Sequence, residues 1–508
     1  MDQLLLRPRL APRDVLTGVF GYAEFRPGQE KIIDTVLAGR DCIGVMPTGA
    51  GKSLTFQIPA RILRGTVLVV SPLISLMKDQ VDALTRNGFR ATVVNSTLDA
   101  ESRRDRLRRL LAGEYELVYV APEGLEGSLR GVLGGVDVSL VVVDEAHCIS
   151  EWGHDFRPAY RKLRGLKQEL GGVPILALTA TATRRVAGDI IRQLGMMKPD
   201  GFKGSFFRPN LILTAHKKGD GRGTRKDLLA YLRQRRGESG IVYTLSRRNV
   251  ESLTDFLQSA GVRAVPYHAG LDDPTRARNQ DLFARDEVDV VVATIAFGMG
   301  IDKSNVRYVI HREMPRSIES YYQEIGRAGR DGLASDCILL YSWADVISHE
   351  RFQDGIEDVE LRREAGRKTR AMFDLVEMPG CRWTNLVAYF DESIGACDSA
   401  CDLCHGTPFV DLVRPARAAS PRASAPAAVA ADAPAPDGEL FQRLRALRRQ
   451  LADTEGVPAY IVFSDAVLAR MAATRPTDEA ELLAVPGIGP AKLARYGAAF
   501  LRLLREED

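Results

Sequence analysis

Three groups of residues have types and spacing suited to chemistry. The first is Met46-Pro47-Thr48-Gly49-Ala50-Gly51-Lys52-Ser53. It follows the apolar run Asp41-Cys42-Ile43-Gly44-Val45, which reads as a buried strand, and precedes Leu54 to Leu63, which reads as a helix. A glycine-rich turn between strand and helix points backbone N–H groups at phosphate oxygens, and the helix N-terminus adds partial positive charge. Lys52 has the reach for β- and γ-phosphates, and the Ser53 hydroxyl suits Mg²⁺. The second group is Asp144-Glu145, which closes the run Leu140-Val141-Val142-Val143. An acidic pair at the carboxyl end of a parallel strand stands where an open α/β sheet places its active site. Asp144 is expected to hold Mg²⁺, and Glu145 to orient and deprotonate an attacking water. The third group is Cys381, Cys397, Cys401 and Cys404. Four thiolates close a structural tetrahedral Zn²⁺ site, and in a cytosolic protein such a cluster reads as metal rather than disulfide. Cys42, Cys148 and Cys337 are isolated and read as small core residues.

Positioning these groups requires parallel sheets. Continuous Val/Ile/Leu runs, as expected of strands covered on both faces, occur at Asp41–Met46, Thr66–Ser71, Ala91–Asn95, Glu116–Ala121, Leu140–Asp144 and Pro174–Thr179. They resume at Gly240–Thr244, Arg263–His268, Asp289–Thr294, Arg307–His311 and Asp336–Tyr341. The fold class is therefore α/β, with two parallel-sheet lobes in series and a hinge near Gly201 to Asn210. Only the first lobe carries a phosphate-binding turn, which suggests an ATP site closed at the interface of the lobes. The expected divisions are 1–205 and 206–342 for the lobes, 343–408 for a helical cysteine module, 409–438 for a linker, and 439–508 for a small all-α domain patterned by Leu440, Leu444, Leu447 and Leu451. Arg414 to Gly438 is almost entirely Ala, Pro, Ser and Arg, too poor in apolar residues to fold, so the last domain is expected on a tether.

With 69 basic and 66 acidic residues the net charge is only +3, so any nucleic-acid surface must be local. A hydrophobic content of 45% and a charged content of 27% describe a soluble globular chain. No apolar run is long enough to span a bilayer, and Leu4-Leu5-Leu6 is too short for a signal-peptide core, so no membrane role and a cytoplasmic location are expected.

The run from Ala146 through His147, Cys148, Trp152, Gly153, His154, Asp155, Phe156 and Arg157 to Pro158 resembles the aromatic-rich loop of RecQ-family DNA helicases. Other helicase signatures follow in order. Phe20-Gly21-Tyr22 with Phe25-Arg26-Pro27-Gly28-Gln29 resembles the family's adenine-recognition motif. Then come Ser71 to Gln80, Leu178 to Thr183, Tyr267 to Gly270, Thr294 to Lys303 and Gln323-Glu324-Ile325-Gly326-Arg327-Ala328-Gly329-Arg330. The resemblance covers about residues 13 to 405. Met46 stands where the general phosphate-loop pattern has glycine, a variant typical of superfamily 2 helicases.

The resemblance implies two RecA-like motor lobes, a zinc module and a C-terminal HRDC domain, using ATP, Mg²⁺ and Zn²⁺. Tyr22 and Arg26 would sandwich adenine and Gln29 would read its edge. Gln323, Arg327 and Arg330 join Lys52, Asp144 and Glu145 as catalytic candidates. Arg327 and Arg330, three apart, are expected on one face of a helix. Trp152, His154, Phe156 and Arg157 are DNA-contact candidates. The segment Leu482 to Lys492 carries the HRDC resemblance, and its Gly487-Ile488-Gly489 turn is a candidate phosphate contact. The implied activity is 3′-to-5′ translocation on single-stranded DNA with unwinding of duplex or branched DNA in repair and recombination. A monomer working beside single-strand-binding protein and repair factors is expected. The residues between Cys404 and Glu439 are too few for the winged helix that many RecQ helicases carry. An ATPase that switches or anneals DNA is therefore the alternative reading, and an RNA helicase of the same superfamily is a further rival.

Overall fold

The computed structural model describes residues 10–72, 74–95, 98–125, 128–153, 155–219, 223–297, 303–413 and 438–505. Leu73, His154, residues 298–302 of the Thr294–Lys303 motif and Arg414–Asp437 of the expected linker lie outside the described residues. Two compact units are formed, Met1–Phe206 with Asp478–Ala498, and Phe207–Thr477 with Ala499–Asp508.

The first unit is built on β1 (Cys42–Val45), β2 (Thr66–Val70), β3 (Ala91–Val94), β4 (Leu117–Val120), β5 (Val138–Val143), β6 (Ile175–Thr179) and β7 (Asp200–Lys203). They form one parallel sheet in the order β3-β4-β2-β5-β6-β1-β7. Helices cover both faces, which is why Val141, Val142 and Val143 are all fully buried. The second unit is built on β8 (Leu211–Lys217), β9 (Ser239–Tyr243), β10 (Ala264–Tyr267), β11 (Val290–Ala293), β12 (Val306–His311) and β13 (Ser335–Tyr341), parallel in the order β10-β11-β9-β12-β13-β8.

Strands β7 and β8 fall where the sequence suggested a hinge and its exit. Each closes one end of its sheet. An edge strand is covered less completely, so β7 alternates half-buried and exposed residues and lacks the continuous apolar run that marks the inner strands.

The cysteine module is fastened to β8. Leu213 N–H donates to Ala400 O at 3.0 Å, and Ala215 N–H donates to Asp402 Oδ2 at 3.1 Å. The Trp383 indole, fully buried, donates to Leu211 O at 3.1 Å. Arg382 Nη2 completes the set with Asp402 Oδ2 at 3.0 Å. The expected linker also starts too early. Phe409–Leu412 is a short helix, and Phe409 and Val413 are buried in the core of the second lobe.

The helix Glu439–Glu455 buries Leu440, Phe441, Leu444, Arg448 and Ala452. Leu447 and Leu451, expected on the apolar stripe, are only half-buried. The stripe instead carries a charge. Arg448 Nη1 donates to Asp465 Oδ1 at 2.7 Å and to Phe463 O at 2.9 Å, and Arg448 Nη2 lies 3.9 Å from Asp286 of the second lobe. Lys303, Arg448 and Arg445 together hold the Asp286 carboxyl below its usual range despite burial. This helix is thus docked on the second lobe rather than merely tethered.

In the first unit the turn at Gly489 lies against Gly21. A methyl group on Gly21, whose φ is +71°, would stand 2.6 Å from Gly489 Cα. Burial, with the charge of Arg86, pushes the nearby Lys492 ammonium down to about 8. Gly489 therefore packs on protein, while Gly487 stays half-buried. No described helix is long and apolar enough to cross a membrane.

Breaking a buried ion pair from one side leaves an uncompensated charge and costs about 3–5 kcal/mol. Arg448→Ala is therefore expected to destabilise the C-terminal helices by that amount, seen as loss of amide protection over residues 439–505 while β1–β6 stay protected.

Candidate active site

The phosphate-loop residues Pro47, Thr48, Gly49, Ala50 and Gly51 form the turn from β1 to the helix Leu54–Ile62. Its start is fixed by the neighbouring strand, since Met46 N–H donates to Thr179 O at 2.9 Å. Lys52 folds back over the turn, its Nζ donating to Met46 O at 3.2 Å. The Ser53 hydroxyl accepts from Gln80 Nε2 at 3.1 Å, and Gln80 Oε1 in turn accepts from Tyr119 Oη at 2.8 Å.

The adenine-motif residues attach to this same turn. Tyr22 is exposed, and Arg26 Nη1 donates to Gly49 O. Gln29 is buried. Its carbonyl accepts from Arg26 N–H at 2.8 Å, and its amide donates to Gly51 O at 3.0 Å and Ala50 O at 3.3 Å. Glycine is required at 51 for this approach, because φ is +79° and a Cβ would meet Gln29 Nε2 at 2.5 Å.

Asp144 and Glu145 follow directly on β5. Asp144 Oδ1 accepts from Glu145 N–H at 3.0 Å, and Asp144 O accepts from Tyr160 Oη at 2.8 Å. Burial, then the charge of Glu145, pushes the Asp144 carboxyl up to about 7, against the pull of Lys52. A cation placed beside it would reverse that rise. Glu145 has φ of +47°, the left-handed region that a non-glycine residue occupies only when its surroundings enforce it. Its carboxylate lies 3.3 Å from His147 Nδ1, and the same nitrogen is 2.9 Å from Thr179 Oγ1. Thr179 thus anchors both Met46 and His147. Lys52, Ser53, Asp144 and Glu145 are gathered at the carboxyl ends of β1 and β5, the position an open α/β sheet gives its site. Gln80, Tyr160, Thr179 and His147 escaped the sequence reading as site residues. The motifs that hold Gln80, His147 and Thr179 were the available signal.

The aromatic-rich loop leaves from Glu145. Trp152 is 37% exposed, and the Arg185 guanidinium lies 3.3 Å from its ring centroid. Phe156 is half-buried with Arg161 over its ring at 5.1 Å. Arg157 is also half-buried and pairs with Asp155 at 3.0 Å. Arg185 is a further residue that sequence reading missed.

In the second unit Gln323 lies on the helix Ile318–Ile325. Arg327 and Arg330 do not share that helix, which ends at Ile325. They stand in a run of turns with Gly326 as the cap and Gly329 at φ +55°. Glycines at these points end the helix, which the three-residue spacing could not reveal. Between 321 and 330 only Gln323, Arg327 and Arg330 remain partly exposed.

The four cysteine sulfurs converge, all within 4.8 Å of one another. A tetrahedral ion with Zn–S bonds of about 2.3 Å fits such a set. His405 Nδ1 is turned to Thr407 Oγ1 at 2.7 Å, and the four thiols form the candidate ligand set. Cys42, Cys148 and Cys337 are buried, as small core residues.

Family models match the chain in succession: DEAD/DEAH box helicase over residues 26–190, helicase conserved C-terminal domain over 223–332, RecQ zinc-binding over 343–405 and HRDC domain over 437–504. A curated Pasteurella multocida protein named ATP-dependent DNA helicase RecQ is 38% identical, over 97% of this chain and 93% of its own length. The chain belongs to the RecQ helicase family. A Bacillus subtilis RecQ is 37% identical over 96% of this chain and 98% of its own length. The Mycobacterium smegmatis helicase Lhr, solved with single-stranded DNA and AMP-PNP, shares the fold with a TM-score of 0.51 at 22% identity, covering 71% of this chain and 56% of that one. The alignment with the Pasteurella RecQ spans 593 positions, more than the 508 residues of this chain, so that RecQ carries residues this one lacks.

The RecQ zinc-binding assignment and the sulfur cluster give a direct test. Cys401→Ser is expected to leave the protein zinc-poor by metal analysis and less stable to heat, since structural zinc contributes folding free energy. Full zinc occupancy would refute the ligand set.

Proposed function

We propose that this chain is an ATP-dependent DNA helicase that moves 3′-to-5′ along single-stranded DNA and unwinds duplex or branched DNA in repair and recombination. The observation that carries this is the gathering of Lys52, Ser53, Asp144 and Glu145 at the carboxyl ends of one sheet, with an aromatic loop leaving from Glu145 itself.

Lys52 meets the β- and γ-phosphates once its bond to Met46 O is exchanged for phosphate oxygen. Tyr22 and Arg26 hold the adenine. Ser53 and Asp144 would hold Mg²⁺, which supplies charge neutralisation between the phosphates. Glu145 takes a proton from the attacking water, with His147 Nδ1 3.3 Å from its carboxylate. Arg327 and Arg330 bring positive charge to the γ-phosphate, a contribution worth ~10³–10⁵ in rate in related phosphoryl transfers. Gln323, exposed on the same stretch, assists at that end.

Trp152 couples this chemistry to DNA. Arg185 covers one ring face, and a base stacks on the other. Base–aromatic stacking is worth ~1–3 kcal/mol, against about 1.4 kcal/mol to open an average base-pair step. One stacked base can therefore bias strand separation without pinning the motor. Phe156, Arg157 and His154 extend the DNA contact.

The short interval between the zinc module and the C-terminal helices favours a second reading, an ATPase that switches DNA affinity or anneals strands with weak unwinding. Strand separation on short duplexes with 3′ or 5′ tails, with ATP turnover followed together, decides between them. Unwinding of the 3′-tailed duplex alone is expected, and turnover without unwinding of either would favour the switch. Stimulation by DNA over RNA of the same sequence is expected as well, which excludes the RNA-helicase reading. Lys52→Ala is expected to abolish turnover in this assay while DNA binding, measured at fixed salt, persists.

Trp152→Ala separates sensing from chemistry. DNA-stimulated ATPase should fall more than the basal rate, and equal loss of both would remove Trp152 from the coupling path.

A further inference from the structure

Arg208 and Asn210 lie where the second unit begins, just before β8. The Arg208 guanidinium reaches the main chain of the arginine loop. Nη1 donates to Gly326 O at 3.2 Å, and Nη2 donates to Ala328 O at 3.2 Å and Gly329 O at 2.6 Å. Asn210 Nδ2 donates to Gly329 O at 2.9 Å and Leu333 O at 3.1 Å. On the other side Gly329 N–H donates to Val306 O at 2.9 Å, and Arg307 pairs with the fully buried Asp331 at 2.7 Å. The backbone of the loop is thus gripped from two sides, while the side chains of Arg327 and Arg330 emerge partly exposed.

The grip answers a local need. The helix Ile318–Ile325 stops before the loop, so the carbonyls of Gly326 and Ala328 have no following helical turn to satisfy them, while Gly329 O also accepts from Gly332 N–H at 3.0 Å. A planar guanidinium offers several donors in fixed directions and can bind carbonyls spread along a turn. A lysine ammonium is a point donor on a flexible stem and cannot hold the same set rigidly. Burial lowers the Arg208 pKa from its ordinary value, and the nearby Asp331 charge opposes that fall.

We infer that Arg208, backed by Asn210, is a positioning residue that fixes the main chain of Gly326–Gly329 so that Arg327 and Arg330 leave the loop in one direction. This rests on the reading of those two arginines as γ-phosphate ligands. A displacement of about 1 Å at a reacting centre can cost on the order of 10²-fold in rate, so a loop that leaves its helix at Ile325 benefits from such a brace.

The test uses the full chain and the variants Arg208→Gln, Arg208→Lys, Asn210→Ala and Arg327→Ala/Arg330→Ala. Hydrogen exchange reads the loop without reference to catalysis. In Arg208→Gln the amides of 326–333 should exchange faster while β9, β11 and β12 keep their protection. DNA-stimulated kcat should fall about tenfold or more with KM for ATP changed less than about twofold, and Arg208→Lys should be intermediate. In the Arg327→Ala/Arg330→Ala background Arg208→Gln should add little further loss, because both act through one loop. Unchanged exchange at 326–333 overturns the inference. So does faster exchange with unaltered kcat, or a full multiplicative loss in the arginine-less background. If Arg208→Gln unfolds the lobe, Asn210→Ala removes two further bonds to the same loop, to Gly329 O and Leu333 O, without deleting a charge and gives the same readings. Wild-type turnover by Arg327→Ala/Arg330→Ala would remove the arginine reading and the catalytic consequence, and the exchange result would still decide whether Arg208 holds the loop.

Discussion

The level of β1, β5 and β6 is the constraint on which the first lobe depends. Val45 pairs with Thr179 and Val143 with Ala177, so these strands end within a few residues of one another. The hydrogen bond from Met46 N–H to Thr179 O then fixes where the phosphate-binding turn begins. A slip of one residue would shift a strand end by about 3.3 Å and turn its side chains to the opposite face. Lys52 and Asp144 would then no longer act on one another, and Thr179 could not reach His147. The apolar runs of these strands are thus more than core filling. Buried on both faces, they hold the strands in the one alignment that brings a lysine, a serine and two carboxylates together.

The second sheet solves a different problem. Its edge strand β8 would expose unpaired N–H groups on one side. The zinc module supplies acceptors for them through Ala400 O and Asp402, and Trp383 fills the space beside Leu211. Cys401 pairs with Leu213 in a bridge, so a candidate metal ligand and the sheet edge are one backbone apart. Folding energy from a bound zinc would therefore reach the strand that follows Arg208 and Asn210. Cys401 would in this way brace the motor lobe as well as its own module.

The inner strands, the phosphate turn, the acidic pair and the cysteine cluster were legible because each is written in contiguous residues. Continuous Val/Ile runs reveal strands covered on both faces, and glycine with lysine and serine reveals the turn. Strands β7 and β8 were hidden because they lack a continuous apolar run, β7 alternating half-buried and exposed residues and β8 ending in the polar His216-Lys217. The arginine pair was placed on a helix because Arg-x-x-Arg has helical spacing, whereas Gly326 and Gly329 decide the matter through backbone conformation. Arg448 could not be singled out in sequence, since its compensating partners Asp465 and Phe463 O lie beyond its own helix. Arg185 and Arg208 were invisible for the same reason: a residue's partner is set by tertiary packing, and neither neighbour is close in sequence.

If Gln29 reads adenine as proposed, it would also act as a coupling element. Its carbonyl and amide are both engaged, with Arg26 N–H and with the carbonyls of Ala50 and Gly51. Reading the edge of an adenine therefore means exchanging bonds rather than adding them. A typical hydrogen bond contributes only about 0.5–1.5 kcal/mol net, so the exchange is close to neutral in affinity. Its consequence is mechanical. On that reading the phosphate turn would lose a restraint on Ala50 and Gly51 as the base arrives, just as Lys52 would exchange Met46 O for phosphate oxygen. A base that cannot offer the matching donor and acceptor would leave Gln29 on the turn and Lys52 less free to move. Adenine specificity by this route would appear as a difference in turnover more than as a difference in binding.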